Sequence, residues 1–388
     1  MSRRRTLENT VARKAKELVQ VIESIAPREL AAQWDNVGLL MGSPEDRING
    51  VLLAIDLTED VLEEARQRKA NGIVAYHPPF FHARKNLTDS DPAGRILLKA
   101  AREKMLIYSP HTALDACEGG INDWLATGIG PGDVRALVPH DNLPENEQVK
   151  IVTICPEESV ARIRDALGAM GAGTLGEYSL CSFEIQGTGT FLASDQANPS
   201  VGGTGALERV PEVRLEMACS NRLVALAVLN IRQFHPYEEP PIEIHALEPK
   251  PMRNVGEGRR LTLDRPLTLK TIGRNLKNLL GVTSLQVSEP ENPEAGSPMR
   301  HQVIGLCPGA GGSLLGAAMD QGCTLFITGE MRHHDVLEAR SSRCAVMLAG
   351  HSNTERPYLD QFRDMLESRL DRLPIMVSDR DVEPLRLA

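Results

Sequence analysis

The sequence has no surplus of basic residues and no apolar run long enough to cross a membrane. Its 43 Lys and Arg residues are outnumbered by 52 Asp and Glu residues, and the net charge is -9. A general nucleic-acid-binding protein needs a basic surface, so this balance argues against that class. The basic start of the chain, Met1–Arg5, is not followed by an apolar segment, so we expect no signal peptide and no membrane span.

The number and spacing of the cysteines argue against a zinc site built on cysteine ligands. There are seven, an odd number; they are scattered, and no two form a Cys-x-x-Cys pair. This pattern fits a reducing cytoplasm and speaks against a zinc site built on cysteines. We therefore expect a cytoplasmic protein. With 388 residues, 41% of them hydrophobic, the chain is long enough for two or three globular domains.

Predicted strands and helices alternate through residues 1–137. The first helix is predicted over Thr6–Ile25, and buried strands are predicted at Val51–Asp56, Gly72–Tyr76 and Met105–Tyr108. The apolar runs are too continuous for strands with one exposed face, which indicates a mostly parallel sheet covered on both faces. The polar segment Asp133–Gln148 is interpreted as a linker.

Residues 149–248 have a different order of elements. Strands and helices are predicted in the order β-α-β-β-(β)-α-β, which is close to the ferredoxin-like arrangement. We interpret this segment as a separate small domain inserted into the first fold. A Pro- and Gly-rich segment, Glu248–Arg260, returns the chain, and the alternation of strands and helices resumes over residues 260–388. The predicted fold is therefore α/β, with two similar α/β/α halves and an inserted α+β domain.

Histidines and acids follow several of the predicted strands. His351 and Glu355 are four residues apart, and so are His111 and Asp115, a spacing that places both members of a pair on one face of a helix. Imidazole and carboxylate together bind divalent transition metals. Ligands bind at the carboxyl ends of the strands in doubly wound sheets. The residues that could meet there in one cleft are His77, His111, Asp115, His333 or His334, His351 and Glu355.

Several of these residues have more than one interpretation. His111 can orient Asp115, act as an acid or base, or cap a helix. Asp35 and Asn36 precede an apolar run, where turn or cap residues are more common than binding residues. Of His333 and His334, at most one is expected to face the cleft. The turn Gly309–Ser313 can cradle a phosphate, but it lacks the dinucleotide-binding pattern, so a tight strand-to-helix turn is favoured.

Four motifs together resemble the Nif3-like dinuclear metal centre family, which also carries the label GTP cyclohydrolase 1 type 2. They are Trp34-Asp35-Asn36-Val37-Gly38-Leu39, Tyr76-His77-Pro78-Pro79-Phe80-Phe81, Ser109-Pro110-His111-Thr112-Ala113-Leu114-Asp115 and Gly350-His351-Ser352-Asn353-Thr354-Glu355. Two further segments, residues 187–205 and His235–Pro240, resemble the longer family members, which carry an inserted domain similar to PII and CutA proteins.

The resemblance implies a homo-hexameric ring with two divalent metal ions, Zn, Fe, Mn or Co, held between two α/β/α halves. One ion would bind His77, Asp115 and Glu355. The other would bind His351, share Glu355 and take its remaining ligand at Tyr76, where most bacterial relatives have His. Because a phenol titrates near pH 10, Tyr76 becomes a ligand only if the metal lowers its pKa.

The leading functional hypothesis is a metal-dependent hydrolase that acts on a small molecule such as a nucleotide or another phosphoester. The family label implies opening of the GTP ring with release of formate. His111, Glu330 and His334 are the candidate catalytic residues besides the metal ligands. The alternative is a protein without enzymatic activity: a metal-binding scaffold or a metabolite sensor that acts through the PII-like insert.

Overall fold

The computed structural model describes residues 11–290 and 299–385. The strands are β1 (Arg13–Lys14), β2 (Gly38–Met41), β3 (Arg47–Ile48), β4 (Val51–Ala54), β5 (Gly72–Ala75), β6 (Leu106–Ser109), β7 (Gly132–Asn142), β8 (Val149–Cys155), β9 (Phe183–Leu192), β10 (Leu207–Cys219), β11 (Ile242–Ala246), β12 (Lys250–Thr268), β13 (Gln286–Ser288), β14 (Arg300–Cys307), β15 (Leu325–Thr328), β16 (Ala345–Leu348) and β17 (Ile375–Val377). The helices are α1 (Ala15–Ile25), α2 (Glu59–Gln67), α3 (Pro92–Arg102), α4 (His111–Ala116), α5 (Ile121–Thr127), α6 (Glu157–Ala169), α7 (Val224–Phe234), α8 (Leu269–Leu280), α9 (Leu315–Asp320), α10 (His333–Ser341) and α11 (Tyr358–Glu367).

The described residues form two compact units. The first unit is built from Met1–His140 and Met252–Ala388, and the second from Asp141–Pro251. The chain leaves the first unit in β7 and returns to it in β12. None of the helices within the described ranges is long and apolar enough to cross a membrane.

The first unit contains a five-stranded sheet with the strand order β17-β4-β5-β6-β2. Strands β4, β5 and β6 are parallel, and every residue of these three strands is buried. Strand β2 is antiparallel to β6 at one edge, and β17, from near the end of the chain, pairs in parallel with β4 at the other. The last strand therefore completes a sheet that is otherwise made by the first 110 residues.

The same unit contains a six-stranded sheet with the order β13-β16-β15-β14-β12-β7. Its centre, β14, β15 and β16, is parallel, whereas β12 is antiparallel to β14 and β13 is antiparallel to β16. One hydrophobic core includes residues of both sheets, such as Leu53 and Tyr108 from the first and Leu325 and Met347 from the second. Helix α11 contributes Tyr358 and Phe362, whose rings stack at 6.2 Å. The prediction of a mixed α/β fold is confirmed.

Arg259 joins the two sequence halves of the first unit. It lies in β12 and is fully buried. Its guanidinium forms an ion pair with Asp123 of α5 at 2.6 Å. It also donates to the backbone carbonyls of Gly256, Gly258 and Cys117, each at 2.8 Å. A buried guanidinium is tolerated because its donors have acceptors, so this residue holds the segment after α4 against β12.

The second unit has the element order β8-α6-β9-β10-α7-β11, the order of the ferredoxin-like split βαβ arrangement. Its antiparallel sheet has the strand order β11-β8-β10-β9. Apolar residues of α6 and α7, including Ile163 and Ile231, share a core with β8 and β10. The sequence predicted three strands between the two helices of this segment, but the structure has two, because residues 183–192 pair continuously with β10 as the single strand β9.

Two sequence predictions about boundaries are wrong. The first helix begins at Ala15, because Arg13 and Lys14 are extended and pair with β3; the part of the prediction that falls on residues 6–10 lies outside the described residues. The segment interpreted as a linker contains β7, an edge strand, where the missing N–H of Pro139 costs no central sheet hydrogen bond. The segment Glu248–Arg260 does return the chain to the first unit, as predicted, and most of it forms β12.

Candidate metal centre

The candidate site lies in the first unit, where several strands end. His77 lies two residues after β5, and His351 lies three residues after β16. A 3-10 turn, Ser352–Thr354, follows His351 and places Glu355 beside it. Asp115 lies in α4, which begins two residues after β6. The parallel strands β4–β6 and β14–β16 therefore deliver polar residues from distant parts of the chain to one place.

His77, His351 and Glu355 form a group with the ligand types and spacing of a metal site. One ligand atom from each residue lies within 4.8 Å of the others. Nε2 of His77 is 3.6 Å from Oε2 of Glu355, and Nε2 of His351 is 3.4 Å from Oε1 of the same carboxylate. Two imidazole nitrogens and one carboxylate suit zinc, iron, manganese or cobalt.

The other ring nitrogen of each histidine is held by a carboxylate. Nδ1 of His77 is 2.9 Å from Oδ1 of Asp56, and Nδ1 of His351 is 3.0 Å from Oε1 of Glu330. Histidines that bind metals commonly donate their second N–H in this way, which fixes the tautomer and leaves Nε2 as the ligand. Burial disfavours the charged form of His77, but the hydrogen bond with Asp56 and the nearby carboxylate of Glu355 outweigh it and raise the pKa of His77 to about 10.

Glu355 provides a test of whether these residues fit a cation. Its side chain is only 4% exposed. Oε2 has no hydrogen-bond partner among the described residues. A buried carboxylate oxygen without a partner is costly unless a cation compensates its charge. The donor set and this oxygen therefore fit a divalent ion held by His77, His351 and Glu355.

Gly309, in the turn after β14, leaves space next to the same ligands. Its φ is 64°, and a Cβ atom there would lie 2.5 Å from Oε1 of Glu355 and 3.2 Å from Nε2 of His351. The backbone N–H groups of Gly309 and Gly311 donate to Thr354 and Thr328. Two amides of the turn are thus already bonded within the protein, in agreement with a tight turn.

We expect Gly309→Ala to weaken zinc binding by at least about tenfold, because the added methyl group occupies space between two ligands and the backbone has a positive φ. Isothermal titration of the chelated protein with zinc measures the change. Gly316→Ala is the matched control, since no described heavy atom outside the adjacent helix backbone lies within 4 Å of the position that its methyl group would take, and Ala favours helix α9. Equal zinc affinity of Gly309→Ala and the parent would contradict this placement of the ion.

Asp115 lies near this group but is engaged by Tyr76. The Tyr76 hydroxyl donates to Oδ1 of Asp115. Burial raises the pKa of Asp115 to about 6, although His111 and the hydrogen bond from Tyr76 oppose it. Burial, with the charge of Asp115 next, also raises the pKa of Tyr76 well above its usual value. The structure brings both predicted ligands beside Glu355 but joins them to each other.

His111 is paired with Asp35. Nδ1 of His111 is 2.9 Å from Oδ1 of Asp35, and the same carboxylate accepts from the backbone N–H of Thr112 at 3.1 Å. Burial of Asp35 favours its neutral form, but the hydrogen bonds from His111 and Thr112 outweigh it and lower the pKa of Asp35. Asp35 thus has a structural role in holding His111, whose ring lies 5.2 Å from that of His77.

The remaining predicted catalytic residues lie at different distances from the group. Glu330 contacts His351 and is placed to orient it. His333 and His334 are exposed at the start of α10, where their ring centroids are 5.8 Å apart in an edge-on arrangement, and neither lines the cavity at the site. Sequence reasoning missed Asp56, although its position at the carboxyl end of the predicted strand Val51–Asp56 was a usable signal.

A cavity of about 320 Å³ opens beside the candidate ligands. His77, Asp115, His351 and Glu355 lie on its wall with the turn after β14. Trp34, Phe81 and Leu30 add an apolar part, and Asn122, His140 and Glu257 add polar groups, all from the first unit. A cavity of this size with a few convergent polar groups is typical of a small-molecule site.

The fold and the site together define an α/β protein with a candidate centre for a divalent metal. A profile of the family Duf34/NIF3 (NGG1p interacting factor 3) matches residues 13–384. The chain belongs to this family, as the motifs around His77, His111 and His351 predicted.

Curated relatives and solved structures agree with this assignment. A Mycobacterium tuberculosis protein named GTP cyclohydrolase 1 type 2 homolog is 31% identical over 96% of this chain and 96% of its own. NIF3-like protein 1 of Bos taurus is 33% identical over 96% of this chain and 92% of its own. The crystal structure of a Bacillus cereus protein related to NIF3 matches with a TM-score of 0.66, 28% identity and coverage of 97% of this chain and 99% of the other.

Proposed function

We propose that this protein is a metal-dependent hydrolase that acts on a nucleotide or another phosphoester. The observation that carries the proposal is the group formed by His77, His351 and Glu355, with an unpartnered buried oxygen on Glu355, on the wall of a cavity large enough for a small molecule. The names of the relatives add GTP as one candidate substrate.

A bound divalent ion supplies two effects at such a site: it lowers the pKa of water and polarises a phosphoryl or carbonyl oxygen. His77, His351 and Glu355 would hold the ion. Asp56 and Glu330 keep the two imidazoles oriented with Nε2 toward the carboxylate. His111, held by Asp35, lines the cavity and is placed to exchange a proton with a substrate there.

The test is a substrate screen with the zinc- or manganese-loaded full chain, using GTP, other nucleotides and bis(4-nitrophenyl) phosphate. We expect turnover on at least one of them that disappears after chelation and returns with the metal. His245→Ala, which removes an exposed histidine of the second unit, should keep the activity and serves as the control. No turnover on any of these substrates with the metal fully loaded would contradict the proposal.

Two ions, the number that the family resemblance implies, would require Asp115 and Tyr76 as further ligands. Since the Tyr76 hydroxyl donates to Asp115, we expect one tightly bound ion per chain and a weaker second one. Tyr76→His should strengthen binding of the second ion, because a neutral imidazole binds without losing a proton. Tyr76→Phe should keep only the first. Elemental analysis of zinc per chain after dialysis measures both. Two equally tight ions in Tyr76→Phe would contradict a ligand role of Tyr76.

The second candidate function is a metal-binding scaffold or metabolite sensor. Its support is the second unit, whose βαββαβ order and four-stranded antiparallel sheet form a unit distinct from the one that holds the site. We propose that this unit is the PII/CutA-like insert. A sensor predicts metal binding without turnover and a metabolite-dependent change in the hydrogen exchange of β8–β11, whereas a hydrolase predicts turnover without such a change.

A further inference from the structure

Trp34 is an exposed tryptophan at the cavity of the metal centre. Trp34 is 63% exposed, and Phe81, whose ring lies next to it, is 42% exposed. Both line the cavity, and their ring centroids are 6.1 Å apart with an interplanar angle of 41°. The other tryptophan of the chain, Trp124, is buried. Large aromatic side chains exposed beside a cavity are available for a ligand, because burying them gains free energy.

The protein holds this aromatic pair in place. The backbone N–H of Ala32 donates to Oγ1 of Thr112 at 3.0 Å, and that of Asp35 donates to the carbonyl of Ala32 at 2.9 Å. Nδ2 of Asn36 donates to the carbonyl of Phe80 at 2.9 Å, which ties the Trp34 loop to the Phe81 loop. These bonds hold the backbone on both sides of Trp34 and immediately before Phe81, as expected for a preorganised binding surface.

The ring of His111 completes this surface. It meets Trp34 edge-on at 5.9 Å and Phe81 at 5.7 Å. Because Asp35 fixes Nδ1 of His111, the imidazole has a defined orientation between the aromatic pair and the ring of His77. The apolar surface and the candidate metal ligands are thus parts of one continuous wall.

Asn122, on the wall of the same cavity, carries a buried hydrogen-bond acceptor. It is fully buried, and its Nδ2 donates to the carbonyl of Asp115 at 3.0 Å. Because that carbonyl can only accept, the orientation of the amide is fixed and Oδ1 is the free atom. Oδ1 has no partner in the part of the chain that the structure describes, although Asn122 lines the cavity. A buried acceptor without a partner at a cavity indicates a ligand with an N–H or O–H donor.

We propose that the substrate carries a planar ring that packs on Trp34 and Phe81 and an N–H or O–H group that donates to Oδ1 of Asn122. This inference depends on the proposed function in one respect only, namely that a phosphate or carboxylate of the substrate would face His77, His351 and Glu355. The chemical class is therefore a small ring compound with a polar N–H or O–H edge and a phosphate or carboxylate. An aliphatic phosphoester, which has no ring, would bind the metal centre but leave Trp34 and Phe81 uncovered.

The test uses benzamide and acetamide as matched probes with and without a ring. They are titrated into the chelated full chain that carries Trp124→Phe, so that Trp34 is the only tryptophan and its fluorescence reports binding. We expect benzamide to change the fluorescence and to bind about tenfold more tightly than acetamide. In Trp34→Ala, where binding is measured by ligand-detected NMR, this difference in affinity should disappear. Equal affinity for the two probes would overturn the proposal. If Trp124→Phe fails to fold, the difference between the parent and Trp34→Phe gives the same readout.

A second pair of probes tests Asn122. Acetophenone has the ring of benzamide without its N–H donors, so we expect benzamide to bind about fivefold more tightly, and Asn122→Leu to abolish the difference. An unchanged difference in Asn122→Leu would overturn the role of Oδ1. Neither pair of probes needs a metal or a reaction. Failure of the hydrolase proposal therefore appears in the substrate screen, and failure of the ring-binding surface appears here.

Discussion

Glu355→Gln is expected to abolish zinc-dependent hydrolysis and tight zinc binding without unfolding the protein. The carboxylate faces both His77 and His351, and its Oε2 is buried without a partner in the described chain. The amide of Gln is a much weaker ligand for zinc than a carboxylate, and it has no negative charge to balance that of the ion. In the chelated protein, the same substitution removes a buried charge near Asp115, so its stability should equal or exceed that of the parent.

Thermal unfolding with and without zinc separates these effects. Zinc at 100 times its Kd should stabilise the parent by about 2.7 kcal/mol and should leave Glu355→Gln unchanged. Glu338→Gln, on the exposed face of α10, is the control and should respond to zinc like the parent. A zinc-dependent rise in the Tm of Glu355→Gln equal to that of the parent would show that the ion binds elsewhere.

Arg259→Met is expected to lower the free energy of unfolding by about 3–5 kcal/mol, the largest effect on stability that we predict. The substitution leaves Asp123 without its ion-pair partner and three backbone carbonyls without their donor, all of them beside a fully buried position. Because Arg259 holds the segment after α4, the affinity for the second, weaker zinc ion should also fall, since Asp115 belongs to α4. Urea unfolding measures the first effect and zinc titration the second.

Arg260→Met is the matched control for this prediction. Arg260 is the next residue in β12 and is partly exposed, and its side chain donates to the carbonyl of Gln321 and to Thr262. We expect a change of less than about 1 kcal/mol for it. If Arg259→Met destabilised the protein no more than Arg260→Met, the buried ion pair would not be the contact that joins the two halves.

The sequence predicted the centre of the fold better than its edges. The strands β4, β5 and β6 were found because they are buried on both faces and appear as unbroken apolar runs. Strands β7 and β12 were missed because they are polar and contain Pro or Gly, residues that an edge or boundary-crossing strand tolerates. The pairing of β17 with β4 is a long-range contact that no local pattern encodes.

In the candidate site too, the features visible in a local pattern were predicted, and those that depend on contacts between distant residues were missed. His77, His351 and Glu355 were predicted because their chemistry and their positions after strands are visible in the sequence. The hydrogen bond from Tyr76 to Asp115 was not predicted, because it depends on two side chains 39 residues apart. The open acceptor of Asn122 was also missed, since a buried Asn inside a helix looks like any other polar residue until its partners are known.

The central claim is that distant parts of the chain hold one metal ion together. The most direct measurement is the zinc affinity of the chelated full chain compared with His77→Ala and His351→Ala, made singly and together. Each single variant should lose at least about 100-fold in affinity, and the double variant should lose little more once the site is already broken. Full affinity in either single variant would mean that the two histidines do not share an ion.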